Sequence, residues 1–112
     1  MKRTRKRIAV TESSGNVFAD LGFPNTDDLL ARAELTRQVC AIVRSRRLTQ
    51  TRAAELLGLR QPDVSLLLRG KFTRFSVERL LKLLNRLGRD VRIVVRPAPR
   101  SRDSGHIRVV AA

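Results

Sequence analysis

The stretch Leu48-Thr49-Gln50-Thr51-Arg52-Ala53-Ala54-Glu55-Leu56-Leu57-Gly58-Leu59-Arg60-Gln61-Pro62-Asp63-Val64-Ser65 constrains the fold of this chain more than any other. Thr49 can start a helix, because its hydroxyl accepts from an N–H that the first helical turn leaves unpaired. Gly58 can end that helix by supplying the left-handed residue that closes so many helices. Leu59 and Arg60 then make a turn, and a second helix opens at Gln61-Pro62, where proline forfeits no helical hydrogen bond, and runs to Gly70. Two helices this short and this tightly joined must cross steeply. Such a crossing needs a small residue where the backbones approach (Ala54), a glycine in the turn (Gly58) and apolar anchors around it (Leu57, Leu59, Val64, Leu67).

Helical signals flank this pair. A longer helix is expected from Asn25 or Thr26 as N-cap, with Asp27 and Asp28 complementing the dipole in its first turn. Leu35, Val39, Ile42 and Val43 form its buried stripe, and Arg44, Arg46 and Arg47 fall at the end that favours cations. Ahead of it, Val17, Phe18 and Leu21 suit a one-turn helix ended by Gly22. Beyond the pair, Ser76 caps a helix whose apolar face is Val77, Leu80, Leu81, Leu84 and Leu87, closed by Gly88. The period then changes from 3.6 to 2. Val91, Ile93 and Val95 alternate with Arg92, Val94 and Arg96, which predicts a strand over Asp90–Arg96 ended by Pro97 and Pro99. Val91, Ile93, Val94 and Val95 are too apolar for a free edge, so a dimer interface is expected there, antiparallel to a second copy across a two-fold axis. The rival is pairing with Ile8-Ala9-Val10 or with Ile107–Val110 of the same chain. At 112 residues one domain is expected: a basic and polar arm over 1–16, a folded domain over 17–97 and a basic tail over 98–112.

Charge points to the partner. Lys+Arg 24 against Asp+Glu 10 gives a formal net charge of +14, so a polyanion, nucleic acid first, is the expected ligand. The distribution is uneven: residues 1–10 hold five Lys/Arg and no acid, residues 11–36 hold five acids against Arg32, and the remainder is strongly basic again. Enzyme chemistry finds little support. His106 lies in the tail and Cys40 mid-helix, which gives neither a Cys/His dyad nor a metal quartet, and Gly70-Lys71 lacks the earlier glycine and the Ser/Thr of a phosphate-binding loop. No catalytic residue, metal or cofactor is therefore expected. The single cysteine permits no internal disulfide, the basic start runs into Thr11-Glu12-Ser13-Ser14-Gly15 without the apolar core of a signal peptide, and no stretch is apolar enough to span a bilayer. A cytoplasmic, nucleoid-associated protein is the expectation.

The 48–65 segment, with Arg69-Gly70-Lys71 after it, resembles the helix-turn-helix of the phage-repressor and Xre-type family. The resemblance implies a mainly α fold, a small helical bundle of the λ-repressor-like type, here with a C-terminal β-strand paired across a homodimer. It also implies double-stranded DNA as partner, with the second helix of the pair in the major groove and the first across the phosphate backbone. Carried over by position, Gln61, Asp63, Ser65, Leu66 and Arg69 face the bases. Gln61 can pair bidentately with adenine, Asp63 can accept from cytosine N4 and Leu66 can touch a thymine methyl. Thr49, Gln50, Arg60, Lys71 and Arg74 would grip phosphates, and Gln50 is placed to brace Gln61. Leu66 and Leu68 stand where polar residues are common, so Leu68 is expected to pack under Phe72 and Phe75 instead. The run Lys2–Arg7 is either a minor-groove arm or a solubilising one.

The flanking motifs Ser14-Gly15-Asn16-Val17-Phe18-Ala19-Asp20-Leu21-Gly22-Phe23-Pro24-Asn25, Phe75-Ser76-Val77-Glu78-Arg79-Leu80-Leu81 and Asp90-Val91-Arg92-Ile93-Val94-Val95-Arg96-Pro97 are similar to those of short HigA-like antitoxins. That likeness implies a homodimer that represses its own operon and neutralises a toxin of the RelE/HigB type, a ribosome-dependent mRNA endonuclease. Such a toxin is basic, and the net negative segment offers Val17, Phe18, Leu21 and Phe23 as anchors beside Asp20, Asp27 and Asp28. Two other readings of the toxin surface stand: Phe18 and Leu21 cap the protein's own core, or the toxin adds a strand at 90–96. For function as a whole the alternatives are a plain phage-type repressor without a toxin and, from other classes, a protein-interaction module or an RNA binder. No aromatic platform of the kind that single-stranded binding uses is visible, which weighs against RNA.

Overall fold

Side-chain caps start two of the helices, and a left-handed glycine ends one. The computed structural model describes residues 26–111, and its four helices are α1 (Thr26–Ser45), α2 (Gln50–Leu57), α3 (Gln61–Leu68) and α4 (Val77–Arg86). The Thr49 hydroxyl accepts from Arg52 N and the Ser76 hydroxyl from Arg79 N, each at 3.1 Å. Gly58 ends α2 in the left-handed region at φ 68° and returns Leu59 N to Ala54 O at 3.0 Å. Pro62 sits in the first turn of α3, as its missing N–H requires. Between α1 and α2 the left-handed position is taken by Arg47 (φ 55°), a conformation that strains any side chain but suits a helix end. The basic arm at 1–16, the one-turn helix at 17–23 and the alternative strand partner Ile8-Ala9-Val10 lie outside the described residues.

The chain divides into two compact units, one formed by residues 31–94 with the end of the chain from Val109. Its core is aliphatic around one aromatic. Leu35, Val39, Ile42 and Val43 of α1 meet Ala53 and Leu57 of α2, Val64 and Leu67 of α3, Phe75, and Leu80, Leu83, Leu84 and Leu87 of the α4 region. Ala53 and Leu80 are fully buried. Leu68, Phe72 and Val109 pack against this cluster from its edge, so Leu68 does belong to the core side of α3. α2 packs on both α3 and α4.

Arginines close the ends of three helices. Arg44 of α1 donates to Leu68 O at the end of α3 (2.7 Å), Arg46 to Leu87 O just past α4 (2.6 Å), and Arg86 to Leu56 O near the end of α2 (3.4 Å). Each guanidinium meets carbonyls that the helix itself leaves unpaired and that carry the negative end of its dipole. Part of the basic excess therefore serves the fold.

In the other unit, whose described residues are 26–30 and 95–108, Asp27 does more than complement a dipole. Its Oδ2 accepts from Ile107 N at 3.1 Å and lies 3.2 Å from His106 Nδ1, tying the tail to the first turn of α1.

The strand expected over Asp90–Arg96 does not form: no residue between Asp90 and Pro99 is in a strand, and neither is Ile107–Val110. A strand exists only where a ladder partner accepts from its N–H groups and donates to its C=O groups, and among the described residues this one chain provides none. The expected interface residues are left in solvent, Val91 at 38%, Ile93 at 75%, Val94 at 67% and Val95 at 91% exposure.

Candidate nucleic-acid interface

The candidate site is built on the outer side of α3, because its inner side is committed. Val64 and Leu67 are buried, and Leu67 O accepts from the Cys40 thiol at 3.0 Å. Gln61 and Arg69 are exposed, while Asp63, Ser65 and Leu66 are half-buried. A helix that buries positions three apart turns the intervening positions outward, so Ser65 and Leu66 lie on the open side, while Asp63 flanks it with a side chain 18% exposed. Leu66, unlike Leu68, does not pack against the core cluster.

Gln61 is held from the neighbouring helix. Its Nε2 donates to Thr51 Oγ1 at 3.2 Å, so the bracing residue is Thr51 rather than Gln50. Adjacent helical residues differ in direction by about 100°, which is why one of two neighbouring polar side chains reaches across and the other does not. The amide keeps its second N–H and its carbonyl oxygen free for an adenine edge.

The residues expected to grip phosphates, Thr49, Gln50, Arg60, Lys71 and Arg74, are all exposed. Thr49, with its oxygen engaged by Arg52 N, retains its O–H as a donor. Lys71 and Arg74 lie on the loop that follows α3, which is pinned at Phe75, 1% exposed. Arg79 secures it further: its guanidinium lies 4.6 Å from the Phe75 ring centroid and donates to Arg74 O at 3.3 Å. Arg32 stacks on Phe72 at 5.5 Å. Sequence reasoning missed Thr51, Arg79 and Arg32 as supports of this site. Their only signal was residue type, a hydroxyl beside a cap and arginines within reach of phenylalanines.

Charge on this face is not uniformly positive. Arg74 Nη1 lies 3.5 Å from Asp63 Oδ1, so the residue expected to hold a phosphate and the one expected to read cytosine are paired with each other. Arg69 folds back, its Nε donating to Ser65 O at 3.4 Å. Cys40, whose thiol burial pushes toward higher pKa against the opposing charge of Arg44, is a buried hydrophobe. Among the described residues no group of three His, Cys, Asp or Glu could hold a metal ion, and no helix is long and apolar enough to cross a membrane.

The proposed toxin-binding residues Val17, Phe18, Asp20, Leu21 and Phe23 lie outside the described residues. No curated protein matches the sequence. A solved structure assigned to the XRE family of transcriptional regulators is similar, at 45% identity and a TM-score of 0.74, over 80% of this chain and 100% of the other. A helix-turn-helix domain model matches residues 17–96. By that match the chain belongs to the helix-turn-helix domain family.

Proposed function

We propose that the protein is a sequence-specific DNA-binding transcriptional regulator that reads a duplex with α3. The observation that carries this reading is Gln61, exposed at the start of α3 and braced by Thr51, with Arg60 beside it in sequence and Lys71 and Arg74 exposed on the loop that follows the helix. A braced amide beside cations is the arrangement that base readout over a phosphate-gripping frame requires. The +14 charge supplies the long-range attraction, and the similar XRE-family structure supports the same reading. Selection from a randomised duplex library tests it. A recovered consensus supports the reading, and a library that stays random after repeated rounds refutes it.

The regulator acts as a homodimer in this proposal. The exposed row Val91, Ile93, Val94 and Val95 supports it, since a second copy could pair that segment and space two α3 helices for half-sites about 34 Å apart. Sedimentation of the chain truncated after Arg89 tests this, because a dimer that survives truncation rules the segment out.

The finer role is that of an antitoxin for a RelE/HigB-like toxin, carried by the flanking motifs and by the acidic segment around Phe18 and Leu21. The plain regulator fits the fold equally well. Co-expression of Phe18→Ala/Leu21→Ala with a toxin encoded beside this chain separates them. The antitoxin reading requires that neutralisation fail while fold and DNA binding persist.

A further inference from the structure

The Asp63–Arg74 pair joins an acid at the base-reading end of α3 to a cation on the phosphate-gripping loop. The two side chains are unequally placed: the Arg74 side chain is 71% exposed and the Asp63 side chain 18%. The guanidinium can swing through solvent, whereas the carboxylate is largely covered. Arg79 donates to the Arg74 carbonyl at 3.3 Å, a bond that leaves the Arg74 guanidinium itself unrestrained.

Duplex DNA offers Arg74 a competing anion. If Arg74 turns to a phosphate, the Asp63 carboxylate is left facing a strongly negative surface without its cation. On guanine and thymine that carboxylate meets acceptors (guanine O6 and N7, thymine O4) and is repelled. Cytosine, through its N4 amine, and adenine, through N6, present donors in the major groove, and cytosine is the base that an Asp side chain best accepts from. We infer that Asp63 and Arg74 form a specificity latch: Arg74 is released to grip a phosphate only where a base amine, cytosine N4 above all, takes its place on Asp63. The pair thus makes one phosphate contact conditional on base identity and holds down binding to unrelated sequence. This rests on the DNA-binding reading above and assigns Arg74 a role different from that of Lys71, which has no such restraint.

The test measures affinity against salt for the full chain on the library-selected site and on random-sequence duplex. Each phosphate contact adds about 0.9 to the log–log salt slope on B-form DNA. Arg74→Ala is expected to lower the slope by about 0.9 on the selected site and to leave it unchanged on random duplex. Asp63→Asn is expected to tighten random-duplex binding, to steepen its slope by about 0.9, and to narrow the ratio of selected to random affinity about tenfold. Glu34→Gln, which removes an equal charge from the Glu34–Arg37 pair on α1, controls for net charge. In the Arg74→Ala background, Asp63→Asn must lose its effect on the slope. The latch is overturned if Arg74→Ala flattens both slopes equally, if Asp63→Asn leaves the random-duplex slope unchanged, or if Glu34→Gln reproduces its effect. A wild-type chain that binds no duplex overturns the DNA-binding reading and the latch together. Wild-type binding with a selected site and none of the variant effects overturns the latch alone.

Discussion

Replacing Gly58 with alanine probes the turn that aims α3, and the structure separates two contributions to its effect. The first is backbone conformation. At φ 68° an alanine Cβ approaches the following carbonyl, which costs about 1–2 kcal/mol, partly offset by roughly 0.4–1 kcal/mol because alanine restricts the unfolded chain. The second is Arg86. A Cβ on Gly58 would stand 3.0 Å from both Cζ and Nη1 of Arg86, so the guanidinium must give by a few tenths of an ångström, which stretches its already long 3.4 Å bond to Leu56 O, an interaction worth about 0.5–1 kcal/mol. Gly70 isolates the first contribution, because it has φ 78° with nothing within 4 Å of the added Cβ. Gly58→Ala should therefore destabilise by about 1–2 kcal/mol, and by roughly 0.5–1 kcal/mol more than Gly70→Ala. Thermal melts followed by circular dichroism resolve this, since about 1 kcal/mol moves the midpoint of a domain this small by roughly 4–8 °C. In an Arg86→Ala background the excess should vanish. Equal melting points for Gly58→Ala and Gly70→Ala with Arg86 present, or an excess that persists without it, would refute the reasoning.

Arg47→Gly should raise stability by about 0.5–1 kcal/mol, because glycine adopts the left-handed conformation that strains Arg47; an unchanged or lower melting point contradicts this. Cys40 should resist a maleimide in the folded protein at neutral pH and react once urea unfolds it. Burial raises its folded thiol pKa, so its stabilising contribution is full below the ordinary thiol range and is lost as pH rises through the folded value. Cys40→Ser should accordingly flatten the alkaline fall of the melting point, and an identical fall in both proteins would count against the assignment.

Local features of the fold were legible because local chemistry determines them. Thr49, Ser76 and Gly58 act within one turn of their own helix, so residue type and spacing located them, and the stripe Leu35, Val39, Ile42 and Val43 followed from the helical period. Long-range polar contacts were not legible. Arg44 and Arg46 read as cations near the end of their own helix and Arg86 carried no such signal, yet the three cap carbonyls 24, 41 and 30 positions away, which no periodicity encodes. Thr51 and Gln50 are equally polar neighbours, and only the packing of α2 on α3 decides which meets Gln61. The alternation at 90–96 describes which faces a strand would have, but it carries no information about whether a ladder partner is present.

Comparing Gln61→Ala with Lys71→Ala on the selected site and on random duplex tests base readout by α3 most directly. Gln61→Ala is expected to weaken the selected site by about 1–3 kcal/mol and to leave random duplex nearly untouched, because it removes a base contact. Lys71→Ala is expected to weaken both alike and to flatten both salt slopes by about 0.9, because it removes a phosphate contact. Equal losses for Gln61→Ala on the selected and random duplexes would contradict the account.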